Sequence, residues 1–437
     1  MAAPHRACAR ARAYLHLLLT VALLPCCLPR HAAAQSPPAG EARLLLEIKR
    51  AWGDPPVLAG WNATAAGALC SWPFVGCDAA GRVVNLTLAN TNVAGSFSDA
   101  VGNLSALTHL DASNNSISGG FPTALYRCAS LQYLNLSQNY LGGVLPADIG
   151  RGLGEHLTTL DLNGNEFNGT IPESLSRLRN LQSLALNSNR FAGTVPVELG
   201  ELTSLQKLYL ANNPFGAGQL PASFKKLTNL VSLFASECNL AGDFPNFVWG
   251  LKKLQLLSLY TNNLTGELAA DGFAARSLIV IDVSMNQITG FIPEVFGGLE
   301  NLTVLSLYSN RLNGTLPPEL GKHSPGLYHV GADDNELTGA IPEGLCAGGK
   351  LHTLTANRNH LNGSIPAGLA NCTTLYSLQL GSNNLSGTRA LRVDVELPWW
   401  SSGWAAAVAS TPGSRTQAAT EGGFLGLRHK TKEADGG

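Results

Sequence analysis

The chain has 437 residues, with 29 basic and 30 acidic side chains and a formal net charge of −1. That balance excludes the basic stripe that a nucleic-acid binder needs. Charged residues are only 14% and hydrophobic ones 45%, which fits a long buried core beneath a polar, weakly charged surface.

A targeting segment comes first. Arg6, Arg10 and Arg12 precede an apolar run from residue 13 to 28, and Ala32-Ala33-Ala34 supplies a small-residue cleavage pattern. This predicts a secretory signal peptide over 1–34. The run is short for a membrane span and contains Pro25. Residues 35–82 read as a cap. The stretch 41–52 has helical apolar spacing at Leu44, Leu45, Ile48 and Trp52. Cys70 and Cys77 follow in CSWPFVGC, a close pair that an oxidising compartment would join. Two Cys without partner His do not make a zinc site.

From Val83 a pattern recurs twelve times and starts a thirteenth: L-x-x-L-x-L-x-x-N-x-L-x-G-x-[ILVF]-P. It is plain at Leu181 (LQSLALNSNRFAGTVP) and at Leu302 (LTVLSLYSNRLNGTLP). So regular a period over residues 83–387 predicts a leucine-rich-repeat solenoid, an α/β right-handed superhelix with a parallel sheet on its concave side. Each repeat's first, fourth and sixth residues point into the core, and the strands stack at about 4.8 Å. The ninth residue is Asn in most repeats, from Asn115 to Asn383, with Thr91 in the first and Cys238 in the seventh. Its amide can donate to and accept from the backbone of a turn that has lost its strand partners. Gly at the thirteenth position, as at Gly193, Gly290 and Gly363, suits a bend with positive φ. Cys128, Cys346 and Cys372 lie in the second halves of repeats two, eleven and twelve. They are expected to be buried free thiols, too far apart in the stack to pair.

The third, fifth, seventh and eighth residues of each repeat face the concave side. In repeats six to ten these columns hold Tyr209, Phe234, Tyr260, Met285 and Tyr308, with Glu237, Ser258, Asp282 and Ser306 beside them. Repeats eleven and twelve add His329, Asp333, Asp334, Asn357 and Arg358. Repeats one to five are mostly small or polar there, Tyr133 excepted. Aligned exposed aromatics are typical binding anchors, so this strip is the expected ligand site. The plainer alternative is that the rings only pack on one another. Twelve N-x-[ST] sequons stand at Asn62, Asn85, Asn103, Asn114, Asn135, Asn168, Asn263, Asn301, Asn313, Asn362, Asn371 and Asn384. Behind a signal peptide they predict a secreted glycoprotein.

Motifs for catalysis are absent. There is no phosphate-binding loop, kinase signature, H-E-x-x-H or G-x-S-x-G, so no enzyme activity and no cofactor is expected. Residues 161–165 read D-L-N-G-N, but Glu166 stands where a calcium loop needs Gly and Pro172 where it needs Glu. His329, His352 and His360 fall in adjacent repeats without a metal-ligand pattern. No membrane span follows the repeats. The pattern breaks at Arg389-Ala390, where an apolar residue and Pro are due. Residues 388–437 are expected to be a disordered tail foreign to the repeats, as in a truncated product. The alternative is a makeshift cap through Trp399, Trp400 and Trp404.

The order of signal, Cys-pair cap and L-x-G-x-[IV]-P repeats resembles the ectodomains of plant leucine-rich-repeat receptor kinases. Runs such as SIPAGLANCTTL and GAIPEGLCAGGKL are similar to the HAESA-like peptide receptors. That resemblance implies an extended peptide ligand on the concave face, a co-receptor ectodomain as a further partner, and an apoplastic location, at the plasma membrane for a full-length parent. It implies a pocket at Phe234, Glu237, Tyr260 and Tyr308. The family's Arg-x-Arg pair for the peptide carboxylate has only Asn357-Arg358-Asn359 as a counterpart here. The rival resemblance is to polygalacturonase-inhibiting proteins, which implies an inhibitor of a cell-wall hydrolase.

Overall fold

The computed structural model describes residues 39–386 apart from 63 and 65–68. The expected signal peptide and tail lie outside the described residues. Helix α1, Ala39–Ala51, opens the cap and buries Leu45, Ile48 and, just beyond it, Trp52. Its Glu41 carboxylate accepts a hydrogen bond from the Val83 N–H at 2.8 Å, at the start of the first repeat strand. Burial pushes the Glu41 carboxyl above its ordinary range. Trp61 and Trp72 stack at 6.1 Å between ring centres. Cys70 and Cys77 are joined in a disulfide with Cα atoms 5.6 Å apart.

The repeats build one fourteen-stranded sheet. Val75–Cys77 from the cap pairs antiparallel with Val83–Thr87, and all later pairings in this sheet are parallel. Register is strict: Ser183 pairs with Lys207, Lys207 with Ser232, and Ser232 with Leu256. Each column of the sequence pattern is therefore a physical column on the sheet. On the opposite side, short strands give way to 3-10 turns such as Glu173–Arg177 and Val197–Glu201, entered from extended Pro172 and Pro196. Gly193, Gly290 and Gly363 have φ of 71°, 75° and 75°. The back-side strands break between Arg190–Phe191 and Ala241–Asp243. There Pro214 occupies the position whose N–H joins neighbouring repeats elsewhere, as Ser116 to Val93 and Asn263 to Leu240, and proline has no N–H to give.

The asparagine column carries the inner turns. The Asn189 amide nitrogen donates to the carbonyls of Leu162, Leu186 and Asn187 at 2.9, 3.1 and 3.2 Å. Its oxygen accepts from Phe167 N at 3.0 Å. The set recurs at Asn213, Asn262, Asn310 and Asn359. Where Cys238 replaces Asn, its thiol donates to Leu210 O at 3.2 Å. The Phe215 N–H then turns to Asn213 O at 2.9 Å.

One expectation is overturned. Cys346 and Cys372 are disulfide-bonded, with Cα atoms 5.9 Å apart. They are 26 residues apart in sequence but one solenoid step apart in space, because the repeat returns the chain to the same face each turn. Cys128 and Cys238 remain free and buried. Burial pushes their thiols up to about 11 and about 12, so neither is a thiolate at neutral pH.

Asn189→Ala should cost about 2 kcal/mol, because it removes four hydrogen bonds to the backbone and takes from the Phe167 N–H its side-chain acceptor; an unchanged urea midpoint and unchanged exchange of the Phe167 amide would contradict it. Cys346→Ser should cost roughly 3 kcal/mol by releasing a loop of that length. Non-reducing peptide mapping should find Cys346 and Cys372 linked in the unaltered chain, and free thiols at both would refute the pairing.

Candidate functional site

On the concave face the strict register sets Tyr209, Phe234, Ser258, Asp282 and Ser306 side by side in one column. Tyr209 and Phe234 stack at 4.9 Å with planes 22° apart. One strand beyond Phe234, the Tyr260 hydroxyl donates to Glu237 Oε1 at 3.0 Å. With its amide nitrogen turned inward, Asn212 donates to the two Glu237 oxygens at 3.2 and 2.9 Å. Burial, then the Glu237 charge, holds the Tyr260 phenol far above its ordinary range, so it stays a donor. Met285 is 46% exposed, and its sulfur accepts from Thr261 Oγ1 at 3.4 Å. Glu237 and Met285 sit at the eighth position, where φ is 53° and 54°. The left-handed backbone turns their side chains out of the sheet plane toward the rim of the concavity.

Not every expected residue presents itself to solvent. Ser258 and Ser306 are 1% and 4% exposed. Ser258 shares a 2.7 Å hydroxyl bond with Ser236. Asp282 Oδ1 accepts from Ser284 N and Oγ at 3.1 and 2.6 Å, and burial pushes its carboxyl up. Tyr308 is half-buried. These serines and Asp282 form a hydrogen-bonded floor under the rings. The plainer alternative thus holds for Tyr209 and Phe234, which do pack on each other. Tyr260, Glu237 and Met285 stand along the same face with accessible surface.

Repeats eleven to thirteen form a separate polar network. Asp333 Oδ1 accepts from Asn357 N and Nδ2 at 2.9 and 2.8 Å, and Asp333 Oδ2 accepts from Thr355 Oγ1. Asn357 passes the chain on to Gln379 Oε1 at 3.0 Å. Arg358 binds both oxygens of Asp334 through Nε and Nη2, the latter at 2.6 Å. Its guanidinium is therefore neutralised by its own neighbour, although exposed. His329 opens the strand His329–Gly331 of repeat eleven, the repeat that carries Asp333 and Asp334. Burial, then the nearby His352, pulls its pKa down to about 4.

The structure also brings together three residues that the sequence columns contained but that were not singled out. Leu256, Val280 and Val304 are successive third-position residues, only 8%, 5% and 7% exposed. They pack on each other, with Phe234 and Ile279 against them, as a cluster apart from the main core. The sequence signal was three apolar residues running where Lys207 and Ser232 precede and His329 follows. A groove of about 860 Å³ lies on the opposite side among Pro172, Arg177, Pro196 and Glu198 and holds none of these residues. Among the described residues no helix is long and apolar enough to cross a membrane, and no group of three metal-ligating side chains assembles. Nine of the twelve sequon asparagines are exposed; Asn85, Asn135 and Asn313 are half-buried. In the concave columns sequons occur only at Asn85, Asn114 and Asn135, all in repeats one to three.

Comparison with known proteins agrees with this architecture. The family model for the leucine rich repeat matches residues 82–141, 155–215 and 252–312, with a second repeat model over 204–227. The leucine rich repeat N-terminal domain matches 38–78. Polygalacturonase inhibitor 1 of Oryza sativa subsp. japonica is 37% identical over 79 residues, 18% of this chain and 23% of that protein. The probable inactive leucine-rich repeat receptor kinase XIAO of the same organism is 38% identical over 81 residues, 18% of this chain and 7% of that protein. Among solved structures, the Arabidopsis receptor kinase HAESA, in complex with the peptide hormone IDA and the co-receptor SERK1, superposes with a TM-score of 0.63 at 31% identity, covering 79% of this chain and 66% of that chain. A TDR receptor gives 0.63 at 32%, covering 77% and 62%. The chain thus spans under two thirds of the TDR chain, just under two thirds of the HAESA chain and less than a quarter of these curated relatives. It is an extracellular-type repeat scaffold with no catalytic domain among the described residues.

The depressed His329 predicts a pH response. In the folded state it binds fewer protons than the unfolded chain between about pH 4 and its ordinary value of 6.5, so its contribution to stability rises with pH in that window and is lost as pH falls through it. Asp161 and Asp282, whose carboxyls are raised, act in the opposite sense near the lower end. The informative quantity is therefore the difference between the chain and His329→Gln. Melting curves from pH 7 to 4.5 should show the unaltered chain losing stability faster than the variant. Parallel curves would contradict the assignment.

Proposed function

We propose that this leucine-rich-repeat solenoid is the ligand-binding extracellular part of a receptor-like protein of the HAESA-like type, and that it takes an extended peptide on the concave face of repeats six to twelve. The observation that carries this reading is the set of rings on two adjacent columns, Tyr209 and Phe234 on one and Tyr260 and Tyr308 on the next, with Glu237 and Met285 on the rim and a hydrogen-bonded serine floor beside them. Support also comes from the likeness to HAESA, whose structure holds a peptide hormone and a co-receptor. A co-receptor ectodomain is the corresponding second partner of this chain. Secretion to the apoplast fits the two disulfides and the exposed sequons.

Peptide burial on such a face concentrates its energy in a few anchors, at about 2 kcal/mol or more each, which is roughly 30-fold in affinity. Calorimetry with a panel of plant peptide hormones, IDA among them, should find a binder whose affinity drops by that factor in Phe234→Ala and in Tyr260→Ala. Unchanged affinity in both would contradict the site.

A second reading, a secreted inhibitor of a cell-wall hydrolase, is supported by the 37% identity to a polygalacturonase inhibitor over 79 residues. It expects the purified chain to slow a fungal polygalacturonase at equimolar concentration, and it fails if turnover is unaffected.

A further inference from the structure

Two columns on the back-side strands vary together. The first is the residue just after each repeat's bend glycine. Across repeats one to twelve it is Gly, Ser, Thr, Gln, Asp or Glu, except at Val144, Phe291 and Ala340. All three are exposed, Val144 at 64% and Phe291 at 70%. The second column is the residue just before the glycine. It opens an N-G-[ST] sequon at Asn168, Asn313 and Asn362 and at no other repeat. Each of these sequons stands in the repeat directly after one of the three apolar residues. Val144 in repeat three precedes Asn168 in repeat four, Phe291 in nine precedes Asn313 in ten, and Ala340 in eleven precedes Asn362 in twelve. Single exposed apolar residues need no explanation, but a coincidence that recurs three times does.

The fold sets the members of each pair side by side. Val144 pairs in register with Asn168, and Phe291 with Asn313. The Asn362 N–H donates to Gly339 O at 2.9 Å, next to Ala340. Side chains at these two positions face each other: in the equivalent pair Asp243 and Thr265, the Thr265 hydroxyl donates to Asp243 Oδ1 at 3.4 Å. The glycine inside each sequon leaves room for the apolar neighbour. A Cβ on Gly314 would meet the Phe291 ring, one on Gly169 would lie 3.1 Å from Val144 Cγ2, and one on Gly363 would lie 3.7 Å from Ala340 Cβ. Each sequon asparagine therefore has an exposed apolar side chain of the preceding repeat lying across its own glycine.

We propose that Asn168, Asn313 and Asn362 carry N-linked glycans, and that the first N-acetylglucosamine of each lies back across the repeat boundary on Val144, Phe291 and Ala340. The linkage forms when the asparagine Nδ2 attacks C1 of a lipid-linked oligosaccharide, the diphosphate leaves, and Nδ2 loses a proton. One face of the sugar ring is lined by C–H groups, which an aromatic face attracts and an aliphatic side chain shields from water. Phe291 offers the largest of the three platforms. A glycan attached to one repeat and seated on the one before it ties the two together and covers apolar surface that water otherwise meets. The proposal rests on the secretion reading above and is independent of the peptide ligand.

The test uses the full chain expressed in plant cells with its own leader. Glycopeptide mapping should find Asn168, Asn313 and Asn362 occupied. Thr315→Val removes the Asn313 sequon and keeps the side chain's shape. Hydroxyl-radical oxidation of Phe291 should then rise about 3-fold, because no sugar covers the ring. In a double-mutant cycle, Thr315→Val should lower the melting temperature of the unaltered chain and leave that of Phe291→Ser nearly unchanged. Asn313→Gln is the second sequon variant if Thr315→Val folds poorly by circular dichroism. Three bare asparagines here with glycans elsewhere, Phe291 oxidation indifferent to the glycan, or equal melting losses in both backgrounds each overturn the proposal and leave secretion standing. A chain bare at all twelve sequons overturns the secretion reading itself, and the proposal with it.

Discussion

Everything on the concave face depends on one buried amide per repeat. Each repeat must turn inward after its short strand, and the turn leaves carbonyls and an N–H without strand partners. The asparagine side chain satisfies them across two repeats at once: Asn189 reaches Leu162 and Phe167 in one repeat and Leu186 in its own. Because the bond crosses the repeat boundary, it locks the register of neighbours as well as the turn. A sheet whose strands are only three residues long, such as Ser183–Ala185, gets little register specificity from its own ladder. The amide column supplies it.

That locked register turns sequence columns into surfaces. Tyr209, Phe234, Ser258, Asp282 and Ser306 meet because each is the fifth residue of its repeat. The same periodicity sets serines beside the rings, so the middle of the face is held by its own hydrogen bonds. Ser236 bonds Ser258, Ser284 bonds Asp282, and Tyr260 bonds Glu237. A floor ordered in advance reduces what binding must spend on ordering side chains. The polar network from Asp333 through Asn357 to Gln379 does the same for the last repeats.

The fold was legible because its signal is periodic and its code is backbone chemistry. Asn at the ninth position, Gly at the thirteenth and Pro after it each answer a local backbone need, and those needs do not change along the stack. The cap helix was legible for the same reason, through the spacing of Leu45, Ile48 and Trp52. What escaped is what depends on the return of the chain. Cys346 and Cys372 look remote in sequence, yet one solenoid turn brings their Cα atoms within 5.9 Å. The cluster of Leu256, Val280 and Val304 is visible in the sequence only as β-branched and aliphatic residues in strands, which read as ordinary core. The engagement of Arg358 by Asp334 could not be read from a motif at all, because it is a contact between repeats.

The account's central claim is that the working surface is the concave strip of the middle repeats and not the back of the solenoid. Hydroxyl-radical footprinting of the secreted chain, with and without bound peptide, tests this most directly, because both sides carry oxidisable reporters. Met285 is 46% exposed within the strip, while Phe291 and Tyr140 on the other side are 70% and 61% exposed. Bound peptide should protect Met285, Tyr260 and Phe234 and leave Phe291 and Tyr140 unchanged. Protection of Phe291 or Tyr140 with Met285 still fully reactive would contradict the account.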